Sequence, residues 1–524
     1  MGQEAEPAAP PSRTEVTEHV PARAPGGWSP AWLALIPAVL TLGVTLYRIQ
    51  GPSITEDEDA TLLAIHRTFP QLVHLLGRVD VVHGTYYSLI WAWSQVFGTG
   101  ELAVRFPSAV AMALAAGGIT LLGQRLVSPL AGLAAGLVFT ALPSVSWFAE
   151  DARDYALVTL VAVVASYLFI RALESGPRRR HWLIGYGVAL LALGLANLFA
   201  LLIIPAHALA LASRIRRNPG IRRGLVSGWL LAVVAALVVV SPVAVTGYQQ
   251  MHQVGWIPPV KLRDVFSVMR VAGSRPLFYV MAGIIIVVVV AGAIVSRGWL
   301  AEHWPEPLVA LTLPWLVLPP AVLLLGSLAH PVYTYRYIAF CIPALALLMG
   351  ATLAALSQVA GPAWLGRVAA VAGLIAVLAV GLPLQGSERG SDGHGFDIRE
   401  IDQTVAHYRH RDDAVFNITA NHYERELEIA YPYGLRRLRD VTAGASAAAS
   451  GTMGGTYASL PVIRQRLAGV RRVWAVGGTI KHVPLLEGLG FHLSRHWYVT
   501  GVYIRLYIKE HAASTVHSTA RAGQ

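Results

Sequence analysis

Apolar residues come in runs of about twenty along most of this chain. The first covers 29–49. Others follow at 104–124, 127–148, 153–173, 182–196, 198–213, 224–247, 277–296, 307–329, 335–357 and 364–384. A bilayer core takes about 20 residues of helix, so the pattern predicts eleven transmembrane helices. The stretch 50–103 between the first two runs differs. Residues 59–68 and 70–79 keep apolar positions at helical spacing, and 84–97 is apolar, aromatic and short for a span. Its Tyr and Trp content suits a helix lying in the interface. Beyond 384 the pattern becomes that of a water-soluble unit. A polar helix over 397–408, a strand over 413–418, a helix near 460–467, a strand over 472–477 and a strand pair near 497–508 predict a small α/β domain over 385–510.

Composition agrees with the membrane reading. The chain is 55% hydrophobic and 14% charged, with a mean hydropathy of +0.52; soluble chains carry about a quarter charged residues. The single cysteine, Cys341, forms no intrachain disulfide. The formal net charge is +11, yet no nucleic-acid motif accompanies it, and no nucleic-acid partner is expected. Basic cytoplasmic loops explain the charge. With eleven spans and a cytoplasmic N-terminus, the inner side holds Arg125, Arg171, Arg178 to Arg180, Arg214, Arg216, Arg217, Arg222, Arg223, Arg297 and Arg367. The C-terminal domain then lies outside the cell membrane. Residues 1–28 lack the order of a signal peptide and read as a disordered cytoplasmic tail, with 511–524 a second one. Loop 248–276 carries Lys261, Arg263, Arg270 and Arg275 on the outside, against the positive-inside tendency. It reads as a lid over an anionic site.

The polar residues that remain fall at one level, the outer ends of the spans. Glu56, Asp57, Glu58 and Asp59 follow the first span. Asp80, His83, Tyr86 and Tyr87 come later in the same loop, and Arg105 opens the second. Glu150, Asp151, Arg153 and Tyr155 separate the third and fourth. Gln249, Gln250, Gln253 and Trp256 follow the seventh; His330, Tyr333, Arg336 and Tyr337 separate the ninth and tenth. Ionisable groups at membrane depth are functional candidates. A lipid-phosphate leaving group needs cations such as Arg336, Arg153 or His83. An acceptor hydroxyl needs one carboxylate as base, and aromatic rings suit sugar faces.

Asp57-Glu58-x-Ala-Thr, then Val-Asp80-Val-Val-His83-Gly-Thr-Tyr86-Tyr87, Glu101-x-x-x-Arg105-x-Pro107-Ser108 and Glu150-Asp151-Ala-Arg153-Asp154-Tyr155 resemble the GT-C glycosyltransferases. The type is that of the protein O-mannosyltransferases and aminoarabinose transferases. Gln253-Val-Gly-Trp256 and Tyr335-Arg336-Tyr337 fit the same pattern, and the resemblance spans about 29–345. It implies a GT-C fold over 29–384: an α-helical polytopic membrane protein with the α/β domain attached. It also implies transfer with inversion from a polyprenyl-phosphate sugar, mannose or a pentose, to an extracytoplasmic hydroxyl. The acceptor is a glycan, lipid, protein or natural product. Asp57 takes the place of the catalytic base, and Glu58 that of the acid beside it which helps hold the acceptor. His83, Arg153, Arg336 and Tyr337 fall where the donor phosphate is held. Asp80, Tyr86, Glu150, Asp151, Tyr155, Gln253, Trp256 and Tyr333 line the donor and acceptor. No cofactor is implied. The acids Glu56 to Asp59 could hold a divalent cation, but no His/Cys spacing supports a metal site.

Each residue also has a plainer use. Asp57 and Glu58 can be solvated, His83 can cap the aromatic helix, and Arg105 can anchor a helix end. Glu150 and Arg153 can form a structural ion pair, and Arg336 can snorkel. His207, inside a span, reads as a packing histidine. A lipid transporter or flippase is the rival function. It calls for polar residues at mid-bilayer and an inverted repeat; the charges here sit at one face and no repeat is visible.

Overall fold

The computed structural model describes residues 31–509 except 175, 296–297, 359–361, 396, 419–428, 479–480 and 500–501. The two expected tails and Arg297 lie outside the described residues.

Helices stand at all eleven apolar runs. Among the described residues, eight are long and apolar enough to cross a bilayer. A ninth span forms if Pro129–Ala141 and Pro143–Ala149, bent by 65°, count as one. The bend falls at Pro143, which cannot donate to the preceding turn. Ala31–Leu46 is shorter, and Arg179–Ala196 opens on Arg179, Arg180 and His181. Length and composition thus support nine of the eleven expected spans, and the chain is a multi-pass membrane protein.

Tyr335–Leu356 runs through the middle of the bundle, buried along its apolar length, against Pro129–Ala141. Small residues let the backbones approach, as is usual between membrane helices. A Cβ on Gly350 would lie 2.5 Å from Ala131 O, and one on Gly132 would lie 2.3 Å from Thr120 O. This axis delivers Tyr335, Arg336 and Tyr337 to one end of the bundle.

At that end, residues 50–100 fold into three helices, Glu56–Ile65, Phe69–Leu76 and Gly84–Phe97. Their shared core includes Leu62, Leu72, Leu75, Tyr86, Tyr87 and Ile90. The first begins three residues before the expected position because Thr55 caps it. The Thr55 hydroxyl accepts from Glu58 N at 3.2 Å, and Glu58 Oε2 accepts from Thr55 N at 2.9 Å. That is a reciprocal capping box.

The C-terminal domain holds five strands: β1 (Ala414–Asn417), β2 (Arg439–Asp440), β3 (Arg472–Val476), β4 (His492–Val499) and β5 (Val502–Ile508). Their order is β2-β1-β3-β5-β4. The first three are parallel, and β5 pairs antiparallel with β3 and β4. Helix Ile398–Tyr408 covers one face through Ile401 and Val405, against Trp474 and Leu506. Helix Leu460–Leu467 covers the other through Ile463 and Leu467, against Val473 and Tyr507. The two-residue β2 is too short to show alternation in sequence. The domain rests on the three-helix loop, where the Arg67 guanidinium donates to Thr452 O at 2.6 Å and to Met453 O at 3.0 Å.

Candidate active site

Asp57 sits in the first turn of Glu56–Ile65. Acids are favoured there by the exposed N–H groups and the helix dipole. Its carboxylate is 17% exposed and faces residues from two other segments. Arg336 donates to Asp57 Oδ2. Tyr155 Oη donates to the same oxygen at 3.3 Å. Arg153 holds the backbone, with Nη1 3.2 Å from Asp57 O. The Trp256 ring lies over the Arg336 guanidinium, 5.5 Å from centroid to carbon, and is 59% exposed.

A second carboxylate, Asp80, is tied to Asp57 through Arg153. Arg153 Nη1 donates to Tyr87 Oη at 2.6 Å, and Tyr87 passes the bond to Asp80 Oδ2 at 2.8 Å. Arg153 Nη2 lies 4.0 Å from the same oxygen. The buried Nε of Arg153 has no hydrogen-bond partner among the described residues. Asp80 adopts the left-handed conformation, φ 58°, where a non-glycine residue carries strain. The loop expected as a lid holds it there. Gln253 Oε1 accepts from Asp80 N, and Gln250 Oε1 accepts from Val81 N, both at 3.0 Å. His83 approaches Asp154 with Nδ1 3.5 Å from Oδ1, and Asn197 Nδ2 donates to the other Asp154 oxygen at 3.0 Å. Burial raises the Asp154 carboxyl, but His83, Arg153 and Asn197 outweigh it and hold it below the usual range.

Asp151 is 2% exposed and accepts from the Thr55 hydroxyl at 3.3 Å. Burial raises its carboxyl well above the usual range, and the charges of Asp57 and Glu58 add to the effect. Tyr337 packs on Phe199 at 5.0 Å, and Tyr333 shares a 2.7 Å hydrogen bond with Ser267.

Three expected ligand-binding residues are placed elsewhere. Glu58 is fully buried. Arg105 grips it through Nε at 2.6 Å and Nη2 at 2.7 Å, and Ala152 N donates to it at 3.1 Å. It is a latch, not a contact for an acceptor. Glu150 is also fully buried and faces Arg389 Nε at 3.3 Å and His394 Nε2 at 3.7 Å. Tyr86 is buried in the core of the loop helices. The Thr55-x-x-Glu58 spacing is the sequence signature of a capping box and already points Glu58 back at the chain. Nothing near Arg389 or His394 in sequence marks their pairing with Glu150, 239 and 244 positions away.

Segment 85–245 matches the family described as Dolichyl-phosphate-mannose-protein mannosyltransferase. The fold is similar to that of ArnT from Cupriavidus metallidurans in the apo state. The TM-score is 0.57 at 15% identity, covering 90% of this chain and 97% of that one. The likeness is one of fold, the GT-C fold. The same ArnT bound to undecaprenyl phosphate gives 0.55 at 15% identity, with the same coverage. An oligosaccharyltransferase from Archaeoglobus fulgidus, AglB, is less similar, at 0.47 and 11% identity over 94% of this chain and 76% of that one. No curated protein matches in sequence. The packing of the helices explains why loops far apart in sequence meet above one end of the spans.

Proposed function

We propose that the protein transfers a sugar, mannose or a pentose, from a polyprenyl-phosphate donor to a hydroxyl outside the cell membrane, with inversion. The observation that carries this reading is the partly exposed Asp57–Arg336 contact, with Arg153 and Trp256 beside it. The acceptor hydroxyl gives its proton to the Asp57 carboxylate as its oxygen bonds to the anomeric carbon. The bond from that carbon to the phosphate oxygen breaks on the opposite face, and its electron pair leaves with the phosphate. Arg336, Arg153 and His83 hold that charge in a site already oriented for it. Arg336 is shared between Asp57 and the incoming phosphate. Donor binding draws it from the carboxylate and frees Asp57 to act as base.

The test uses protein in nanodiscs with radiolabelled polyprenyl-phosphate mannose or pentose and a membrane extract, beside Asp57→Asn. Wild type moves label to a product. Asp57→Asn loses turnover and binds polyprenyl phosphate at least as tightly, because Arg336 no longer has a carboxylate to hold it. Turnover by Asp57→Asn overturns the role of Asp57; failure of wild type to consume any lipid-phosphate sugar overturns the reaction.

A further inference from the structure

We propose that Tyr431 and Arg399 of the C-terminal domain are positioning residues for Asp57. The proposal rests on the reading of Asp57 as the base. Residues 51–54 lead into the Asp57 helix without regular structure. Their backbone groups must therefore find partners elsewhere, and they find them on two sides.

On the inner side, Arg105 donates to Ile49 O at 2.8 Å, Pro52 O at 3.0 Å and Ser53 O at 3.1 Å. On the outer side, Arg399 donates to Gln50 O at 3.0 Å and to Gly51 O and Pro52 O at 3.3 Å. Ile54 N donates to Tyr431 Oη at 2.9 Å. The strip is thus clamped, and Gly51 is pressed so closely that a Cβ there would lie 2.2 Å from Arg389 O.

Glu101 ties the two sides together. It accepts from Tyr431 Oη and from Arg399 Nη2, the latter at 2.7 Å. The Arg399 guanidinium also lies over the Tyr431 ring, 5.5 Å from its centroid. Glu101 and Arg105 are one turn apart on the same helix face. One helix therefore grips the strip through Arg105 and the domain through Glu101. Three residues beyond Ile54, Asp57 must meet Arg153 and Arg336, which stand on other segments. Small displacements of a reacting group cost large factors in rate, and a clamp on this strip fixes that distance. Neither Tyr431 nor Arg399 touches the Asp57 carboxylate, so their effect passes through the strip.

Tyr431→Phe keeps the ring and removes both hydrogen bonds of its hydroxyl. In nanodiscs we expect kcat to fall about tenfold, worth about 1.4 kcal/mol, at an unchanged donor KM and unfolding midpoint. Hydrogen exchange over 50–58 should quicken, a readout that needs no turnover. Glu101→Gln should give a smaller loss. Combined with Tyr431→Phe it should be less than additive, as for groups in one network. Should Tyr431→Phe fail to fold, Glu101→Gln and its exchange over 50–58 carry the test. Wild-type kcat and exchange in a folded Tyr431→Phe, beside an inactive Asp57→Asn, would overturn the positioning role alone. A raised donor KM at constant kcat would make Tyr431 a binding residue and also overturn it. Turnover by Asp57→Asn would instead remove the base that the clamp is proposed to position.

Discussion

Asp57 and Glu58 are neighbours in sequence and opposites in structure. Each carboxylate faces an arginine from a distant segment. Asp57 meets Arg336 at a cleft where the two side chains are 17% and 22% exposed. Glu58 meets Arg105 where both are fully buried. In the sealed pair every contact is within the protein, so the pair serves the fold. In the open pair one arginine is available to a ligand. The comparison teaches that exposure, not chemistry, separates a candidate site from a structural pair: the two pairs hold the same groups, and only one can be reached from outside.

The largest expected effect tests the open side. Asp57→Asn should cost about 10²- to 10⁴-fold in turnover, the usual span for a general base, with the unfolding midpoint close to wild type. A matching loss of stability would mean that Asp57 belongs to the latch. Next comes the sealed side. Arg105→Ala should cost about 3–5 kcal/mol of stability, because it leaves Glu58 charged and buried. An unfolding midpoint near wild type would contradict the latch.

A third test reads pH. Asp151 has its carboxyl raised by burial, then by the charges of Asp57 and Glu58. A raised group contributes stability that is fully present below its unfolded value of about 4 and is lost as pH rises through the folded value. Asp151→Asn imitates the protonated form and keeps the Thr55 contact. Its unfolding midpoint relative to wild type should therefore climb with pH above about 4; a gap constant with pH would break this account. The smallest effect belongs to the far end of the bundle. Arg125 and Glu174 pair at 2.6 Å with side chains 35% and 40% exposed. Such pairs are worth about 0–1 kcal/mol after solvent screening. Arg125→Ala should shift the unfolding midpoint little and leave turnover unchanged; a loss of turnover would extend the active machinery to that end.

Much of the cleft was legible in the chain. Asp57, Arg153, Tyr155 and Arg336 each sit beside the end of an apolar run, and in a helical bundle run ends on one side share a level. Gln253 and Trp256 follow the same logic, since a loop between two spans must return over that level. Glu58 and Glu150 sit beside the same run ends but turn inward, as Tyr86 does within the loop, and run ends carry no information about which way a side chain turns. The capping signature at Thr55 and Glu58 was the one local sign of it.

The sequence by itself determined where the chain is helical in the membrane, where it becomes a soluble α/β unit, and at which level its charges gather. Those features follow from length, hydropathy and periodicity, which act locally. Tertiary structure alone decided which acid faces water and which faces Arg105. It also brought Arg389 and His394 to Glu150, and Arg399 and Tyr431 to the strip before Asp57. Those partners lie hundreds of residues apart, and only the packing of the spans and the docking of the C-terminal domain bring their charges within reach of each other.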